Sequence, residues 1–103
     1  MFGLRDSDLK WMHKLFTQYP SLEEAYIFGS RAKGTYRNGS DVDIALKGKN
    51  LSNAEARQIK FILEEESPMP FFFDVVRIEG INDPIFKEKI LNEKKSIYPT
   101  NDA

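Results

Sequence analysis

The sequence contains no cysteine, a single histidine and no long apolar run. Without cysteine the chain has no disulfide scaffold, no thiolate-bound zinc or iron–sulfur cluster and no thiol nucleophile. One histidine alone does not build a metal site. No window approaches the roughly 18 apolar residues of a membrane span, and the N-terminus lacks a cationic stretch followed by an apolar one. We therefore expect a cytoplasmic protein that does not associate with membranes.

An excess of positive charge is also missing, because 15 Lys and Arg residues are balanced by 16 Asp and Glu residues and the net charge is -1. A long nucleic acid is held largely by positive charge, so this balance argues against a nucleic-acid partner. A hydrophobic content of 41% in 103 residues is typical of one folded domain. We expect this domain to span residues 1–103, with residues 99–103 fraying at the end.

Apolar residues recur with helical or strand spacing in alternating segments of the chain. Ser52 and Glu55 have the spacing of a capping box, and Pro84 suits the first position of a helix. The alternation of helices and strands predicts an α/β fold around a small sheet. The helices are expected at 6–18, directly after residue 29, at 52–66 and from 84 onward, and the strands at 25–28, 40–46 and 71–76.

Asp41 and Asp43 are two residues apart in a predicted strand, so their side chains leave the same face with Cα atoms about 7 Å apart. Two carboxylates this close repel each other unless a cation lies between them. Their hard oxygen atoms suit Mg²⁺ or Mn²⁺, which bind carboxylates, water and phosphate oxygens. For an isolated Asp-x-Asp pair, the more common explanation is the exposed acidic face of an edge strand.

A third acid, Asp74, lies in the apolar segment Phe-Phe-Phe-Asp-Val-Val at residues 71–76. This composition predicts a central strand that is covered on both faces. An ionised carboxylate inside such a sheet is costly unless it is paired or binds a metal ion, so Asp74 needs a partner. The alternative is an acid near a strand end that reaches solvent or a helix N-terminus.

Gly29 and Ser30 follow a predicted strand and begin a short helix, which is the arrangement of an anion site. Glycine lets the backbone approach a phosphate closely, and Ser30 offers a hydroxyl and an N–H group where the helix dipole favours negative charge. Taken alone, Gly-Ser is more often a plain strand-to-helix turn. Arg31, Lys33 and Arg37 place cations nearby, although such residues usually form a solvated rim.

The combination of these features is more specific than any one of them. The chain has Gly-Ser-Arg-Ala-Lys-Gly at residues 29–34, Ser-Asp-Val-Asp-Ile at 40–44, and then a strand that bears a third acid. This combination resembles the signature of the DNA polymerase β-type nucleotidyltransferase superfamily. Within it, the chain most resembles the minimal nucleotidyltransferase (MNT) family, whose members contain little besides the catalytic core. The order of elements extends the resemblance over nearly the whole chain.

The resemblance implies a single nucleotidyltransferase core with a short mixed β-sheet of three or more strands, packed by about four helices. It implies that Gly29 and Ser30 hold the phosphates of a nucleotide, in a nucleotide-binding motif that also contains Arg31 and Lys33. Lys33 stands where many relatives carry arginine, which is a conservative difference.

The resemblance also implies a metal site. Asp41 and Asp43 are expected to bind two metal ions, Mg²⁺ with Mn²⁺ as a substitute. Asp74 is expected to complete the site on the side of the attacking group and to help deprotonate the acceptor. By this comparison the catalytic residues are Asp41, Asp43 and Asp74.

For function, the resemblance implies transfer of a nucleoside monophosphate, AMP from ATP, to a hydroxyl group on a partner protein. MNT proteins of this size resemble the antitoxin half of toxin–antitoxin pairs, and the implied partner is an all-helical HEPN ribonuclease. A second hypothesis is a catalytically silent antitoxin that neutralises a helical toxin by stoichiometric binding. A third, nucleotidyl transfer to an aminoglycoside or to RNA, is disfavoured because the chain has neither an acceptor domain nor a net positive charge.

A core of this size offers no pocket for an acceptor, so the acceptor must be brought by another protein. Apolar and aromatic residues are the usual material of such an interface. We expect Phe2, Trp11, Ile97 and Tyr98, near the two ends of the chain, to form the docking surface. The sequence leaves open the base of the nucleotide, the identity of the acceptor and the oligomeric state.

Overall fold

The computed structural model describes residues 1–99, which form one small sheet with helices on both faces. Residues 100–103 of the expected frayed end lie outside the described residues. None of the helices in residues 1–99 has the length and apolar character needed to cross a membrane. In chain order the elements are α1 (Asp6–Phe16), β1 (Glu24–Phe28), α2 (Gly29–Lys33), β2 (Val42–Lys47), α3 (Asn53–Glu65), β3 (Phe73–Arg77), a 3-10 helix (Ile78–Gly80), α4 (Pro84–Glu93) and β4 (Lys95–Tyr98).

Local capping explains where the later helices begin. Ser52 Oγ accepts a hydrogen bond of 3.0 Å from the N–H of Glu55, and the Glu55 carboxylate accepts one of 3.0 Å from the N–H of Ser52. This reciprocal pair confirms the predicted capping box at the start of α3. At α4 the Asp83 carboxylate accepts hydrogen bonds from the N–H groups of Ile85 and Phe86, and Pro84 occupies the first helical position, where its missing N–H group costs nothing.

The four strands form a mixed sheet in the order β3-β2-β1-β4. Strand β1 is antiparallel to both β2 and β4, whereas β2 and β3 are parallel. The predicted α/β class with a short mixed sheet is therefore confirmed. Strand β4 is not predicted from the sequence, because Ile97 is its one buried residue and the segment shows little alternation. Pairing with β1 makes it a strand.

Two apolar clusters cover the two faces of the sheet. The larger one lies beneath α1 and α3 and contains Met12, Phe16, Ile27, Ile44 and Leu63. The smaller one lies beneath α4 and contains Tyr26, Phe28, Ala45, Ile78 and Ile90. The face of β2 that the sequence predicts to be acidic is therefore acidic only at its start, because Ala45 is already buried under α4.

The prediction that residues 71–76 form a central strand covered on both faces is wrong. Strand β3 is an edge strand that pairs with β2 alone, and Phe72 is 75% exposed. Phe73 is buried in the core and Phe71 stacks on a buried arginine, so the phenylalanine run reflects contacts on one side of the strand. Asp74 is exposed, which confirms the alternative of an acid that reaches solvent.

The expected docking surface near the chain ends is corrected at one residue, Ile97. Ile97 is buried in the core, and Tyr98 packs against Phe16 with ring centroids 5.6 Å apart. Phe2 and Trp11 are half-buried against the same cluster. Ile97 is unavailable for docking because β4 draws this end of the chain into the sheet, whereas Phe2, Trp11 and Tyr98 stay partly exposed. The large apolar side chains that are exposed within residues 1–99 include Phe61, Phe72, Ile85 and Leu91.

Candidate active site

Gly29 forms the sharp turn between β1 and α2. Its φ is 72°, and a Cβ atom at this position would overlap the carboxylate of Asp43. Glycine is therefore needed at this position for two reasons: the backbone is left-handed, and Asp43 approaches closely. Ser30 is half-buried and follows directly in the first turn of α2. The fold thus places the Gly29–Ser30 turn against Asp43.

Asp43 and Asp74 are neighbours across the parallel strands β2 and β3, where they share one register position. On its other side Asp43 pairs with Phe28, the last residue of β1. Asp41 lies one residue before β2 and is exposed, as is Asp74. The three acids therefore lie at the same end of the sheet, beside the start of α2.

The acids carry negative charge that the protein only partly compensates. Burial raises the pKa of the Asp43 carboxyl, and the charges of Asp74 and Asp41 raise it further. Lys89 and Arg31 act in the opposite direction but do not cancel the effect. The ion pairs within residues 1–99 involve none of the three acids. A cation near Asp43 would relieve this repulsion.

Arg31 is buried, in contrast to the exposed Lys33 of the same motif. Its Nη2 donates a hydrogen bond to the carbonyl oxygen of Ser40 at 2.6 Å, and its Nε donates to the carbonyl oxygen of Asp41 at 3.2 Å. Its Nη1 donates to the carbonyl oxygen of Phe2 at 2.9 Å. The side chain is thus directed into the protein, towards the loop that leads into β2.

Lys33 and the backbone of Gly29 share an anionic partner, Glu93 at the end of α4. The N–H of Gly29 donates a hydrogen bond to Glu93 Oε1 at 3.2 Å, and Lys33 Nζ lies 3.6 Å from Glu93 Oε2. The Glu93 side chain is 15% exposed, so its carboxylate covers the start of α2. Two of the groups predicted to bind a phosphate, the Gly29 N–H and the Lys33 ammonium, therefore contact a carboxylate in this structure.

The sequence does not predict the two charged residues that α4 brings to the site. Residues 87–95 mix both signs of charge, which is typical of an exposed helix face. Lys89 and Glu93 are four residues apart and so lie on one side of the helix, which is the one signal the sequence contains. Their contact with the site depends on how α4 packs, and no local pattern encodes that packing.

The acids fit a hard divalent cation by their chemistry rather than by a preformed cage. Within residues 1–99, no three acidic or histidine side chains converge closely enough to hold a metal ion. Mg²⁺ is normally bound through one or two carboxylates, with waters and substrate phosphates as its other ligands. Asp43, with Asp41 and Asp74 close enough to raise its pKa, offers such a partial set.

A protein-family model described as polymerase beta, nucleotidyltransferase matches residues 10–103. The match includes the Gly29 turn and all three acids. No curated protein matches the chain.

Solved structures with the same fold include chains from toxin–antitoxin systems. One from a toxin–antitoxin crystal structure with AMP-PNP has a TM-score of 0.73 and 22% identity, covering 95% of this chain and 76% of that one. A chain of the toxin–antitoxin MntA–HepT has a TM-score of 0.62 and 20% identity, covering 93% and 74%. A chain of the tri-AMPylated Shewanella oneidensis HEPN toxin in complex with MNT antitoxin has a TM-score of 0.61 and 17% identity, covering 89% and 73%. At these identities the likeness establishes a shared fold.

Proposed function

The chain belongs to the polymerase beta nucleotidyltransferase family, and on this premise we propose that it transfers AMP from ATP to a hydroxyl group on a partner protein. The proposal depends above all on one observation: the Gly29 turn lies directly against Asp43, and Asp43 shares its register with Asp74. Nucleotidyl transfer needs a phosphate-binding turn beside carboxylates, because the phosphates and the cations that neutralise them must meet at one point.

We assign nucleotide binding to the start of α2. Its backbone N–H groups and the Ser30 hydroxyl donate hydrogen bonds to the phosphates, and the exposed Lys33 adds positive charge. The N–H of Gly29 and the Lys33 ammonium now contact Glu93. A phosphate that binds there replaces the Glu93 carboxylate. The start of α2 is therefore already a site that binds an anion.

The proposed reaction is a displacement at the α-phosphorus of ATP. The oxygen of the acceptor hydroxyl forms a bond to this phosphorus, the bond from the phosphorus to the oxygen that bridges to the β-phosphate breaks, and pyrophosphate leaves. Asp74, exposed on the edge strand, accepts the proton of the hydroxyl. Asp41, Asp43 and Asp74 are the residues that would hold two Mg²⁺ ions, or Mn²⁺, which neutralise the phosphate charge when bound.

We propose that the partner is a helical HEPN toxin and that this chain is its antitoxin. The support comes from relatives of the same fold, among them a chain of a complex that contains a tri-AMPylated HEPN toxin and an MNT antitoxin. The exposed Phe72 lies two residues from Asp74, so an apolar contact is available beside the proposed proton acceptor. Exposed aromatic side chains next to a site are typical of protein interfaces.

The test is a titration of the HEPN protein with this chain, ATP and Mg²⁺. Wild-type protein at one tenth of the partner concentration should add AMP to the partner, as seen by mass spectrometry, and abolish its ribonuclease activity. The double variant Asp41→Asn/Asp43→Asn should leave the partner unmodified and active. Pyrophosphate release should accompany each AMP added.

The second candidate function is that of a catalytically silent antitoxin. It is favoured by the finding that the acids of the described part of the chain form no preformed metal cage. If wild type and the double variant neutralise the toxin equally at a one-to-one ratio, the enzymatic proposal is wrong and stoichiometric binding is the function.

A further inference from the structure

Arg31 is 3% exposed and lies at the centre of the candidate site, although its place in the Gly-Ser-Arg motif predicts a nucleotide contact. All three nitrogen atoms of its guanidinium group donate hydrogen bonds to backbone carbonyl oxygens of the chain. Because each nitrogen already donates within the protein and the side chain is almost completely buried, it is not arranged to receive a phosphate. Its surroundings indicate a different role.

The contacts of Arg31 join the chain segments that carry the site. The carbonyl groups of Ser40 and Asp41 belong to the loop that enters β2. The position of this loop sets the positions of Asp41 and Asp43. The ring of Phe71, whose centroid is 4.4 Å from Arg31 Cζ, belongs to the segment that enters β3, three residues before Asp74. Arg31 itself directly follows the Gly29–Ser30 turn.

Tyr36 and the N-terminal segment surround the rest of this guanidinium. The ring centroid of Tyr36 lies 5.3 Å from Arg31 Cζ. Gly3 has a φ of 73°, and a Cβ atom there would lie 2.6 Å from Arg31 Nη1 and 2.6 Å from the Tyr36 ring. With Phe2 as a third carbonyl partner, the guanidinium is held on several sides.

We propose that Arg31 is a positioning residue: it fixes the acids Asp41, Asp43 and Asp74 relative to the phosphate-binding turn and does not itself bind the nucleotide. This inference deepens the proposed function and rests on it. A planar guanidinium can reach three carbonyl groups and stack on a ring at the same time, whereas a lysine ammonium on its flexible stem cannot. Loss of these contacts would let the loop before β2 and the segment before β3 move independently of α2.

The test compares Mn²⁺ binding with nucleotide binding in the full chain. Mn²⁺ affinity is measured by electron paramagnetic resonance in the presence of AMP-PNP, and AMP-PNP affinity is measured by calorimetry in excess EDTA. Arg31→Lys should weaken Mn²⁺ binding by roughly tenfold or more, as is common when a residue behind a metal ligand is replaced. It should leave AMP-PNP affinity in EDTA within about twofold of wild type, since the positioning role involves no contact between Arg31 and nucleotide.

The matched control is Met12→Ala, which opens the core beneath α1, a helix that packs mainly on β4 and α3. It should lower the melting temperature and leave Mn²⁺ affinity unchanged, which separates positioning from a loss of stability. Phe71→Leu keeps the hydrogen bonds of Arg31 to carbonyl oxygens and removes its contact with the Phe71 ring. This variant tests the positioning role if Arg31→Lys does not fold. We expect it to weaken Mn²⁺ binding by about threefold, less than the effect typical of a lost supporting residue.

Two results would overturn the inference. The first is unchanged Mn²⁺ affinity in Arg31→Lys, or in Phe71→Leu if Arg31→Lys does not fold. The second is a loss of AMP-PNP affinity in EDTA in Arg31→Lys that the Met12→Ala control does not show. The second result would mean that Arg31 binds the nucleotide directly. Failure of the proposed function looks different, because wild type would then bind Mn²⁺ no more tightly with AMP-PNP than without it. That outcome is seen before any variant is made, and it overturns both proposals.

Discussion

Asp43 and Asp74 share one register position, yet their surroundings differ. Asp43 lies half-buried on the inner strand β2, between Phe28 and Asp74, and burial together with nearby like charges raises the pKa of its carboxyl. Asp74 lies exposed on the edge strand β3. Ionisation of the half-buried Asp43 therefore costs more free energy than ionisation of Asp74. Asp74 is the acid that an incoming acceptor can reach. The apolar sequence around Asp74 suggests the opposite assignment.

The largest expected effect is the loss of transfer in both Asp43→Asn and Asp74→Asn. Each amide keeps the shape of the side chain but loses the charge, so AMP transfer to the partner protein should fall by at least about a hundredfold. Incorporation of AMP into the partner is the measurement. Both variants should also weaken Mn²⁺ binding, and Asp43→Asn should weaken it more than Asp74→Asn. An Asp74→Asn protein with more than half of the wild-type rate would remove Asp74 from the mechanism.

Ser30→Ala should weaken nucleotide binding by about 1–2 kcal/mol, roughly 5- to 30-fold, which is the scale of one charge-assisted hydrogen bond. Calorimetry with AMP-PNP measures this, and the melting temperature should stay close to that of wild type. Ser96→Ala, at an exposed position of β4, is the matched control and should change neither quantity. Unchanged affinity in Ser30→Ala would reduce the Gly29–Ser30 turn to a structural role.

Glu93→Gln should strengthen nucleotide binding by about two- to fivefold. The carboxylate of Glu93 contacts the N–H of Gly29 and the Lys33 ammonium, so an incoming phosphate must displace it, and a neutral amide competes less well. Glu88→Gln, an exposed position of the same helix, is the control for the change in net charge. Weaker binding in Glu93→Gln would mean that Glu93 shapes the turn for the nucleotide rather than competing with it.

The smallest expected effect is on stability without metal. Because the pKa of Asp43 is raised in the folded state, the folded protein binds this proton more tightly than the unfolded chain does. Stability should therefore fall as pH rises from about 4, the unfolded value, through the raised folded value, and stay lower above it. Asp43→Asn should melt at a higher temperature than wild type at pH 7, and the difference should shrink towards pH 4.

Asp74→Asn is the comparison for this stability effect. It removes one charge that acts on Asp43 but relieves no burial, so its rise in melting temperature at pH 7 should be smaller than that of Asp43→Asn. Thermal melts in EDTA measure both. The reverse order would mean that the exposed acid, and not the half-buried one, bears the cost of the site.

Much of the candidate site could be named from the sequence because its parts depend on local geometry. The turn at Gly29 follows from a glycine between a strand and a helix, and the spacing of Asp41 and Asp43 follows from the two-residue period of a strand. The register of Asp43 with Asp74 could not be predicted, because helix α3 separates the two strands. The contact of Glu93 with the turn depends in the same way on the packing of a distant helix.

The sequence by itself determined the alternating helices and strands, the capping of α3 and α4 and the residue types at the turn and the acids, because these depend on short-range periodicity and backbone preferences. Only the tertiary structure decided that β3 is an edge strand, that β4 completes the sheet and that Arg31 is buried among three carbonyl groups of two distant segments. Strand order and burial depend on which distant segments meet. A motif of adjacent residues does not contain that information.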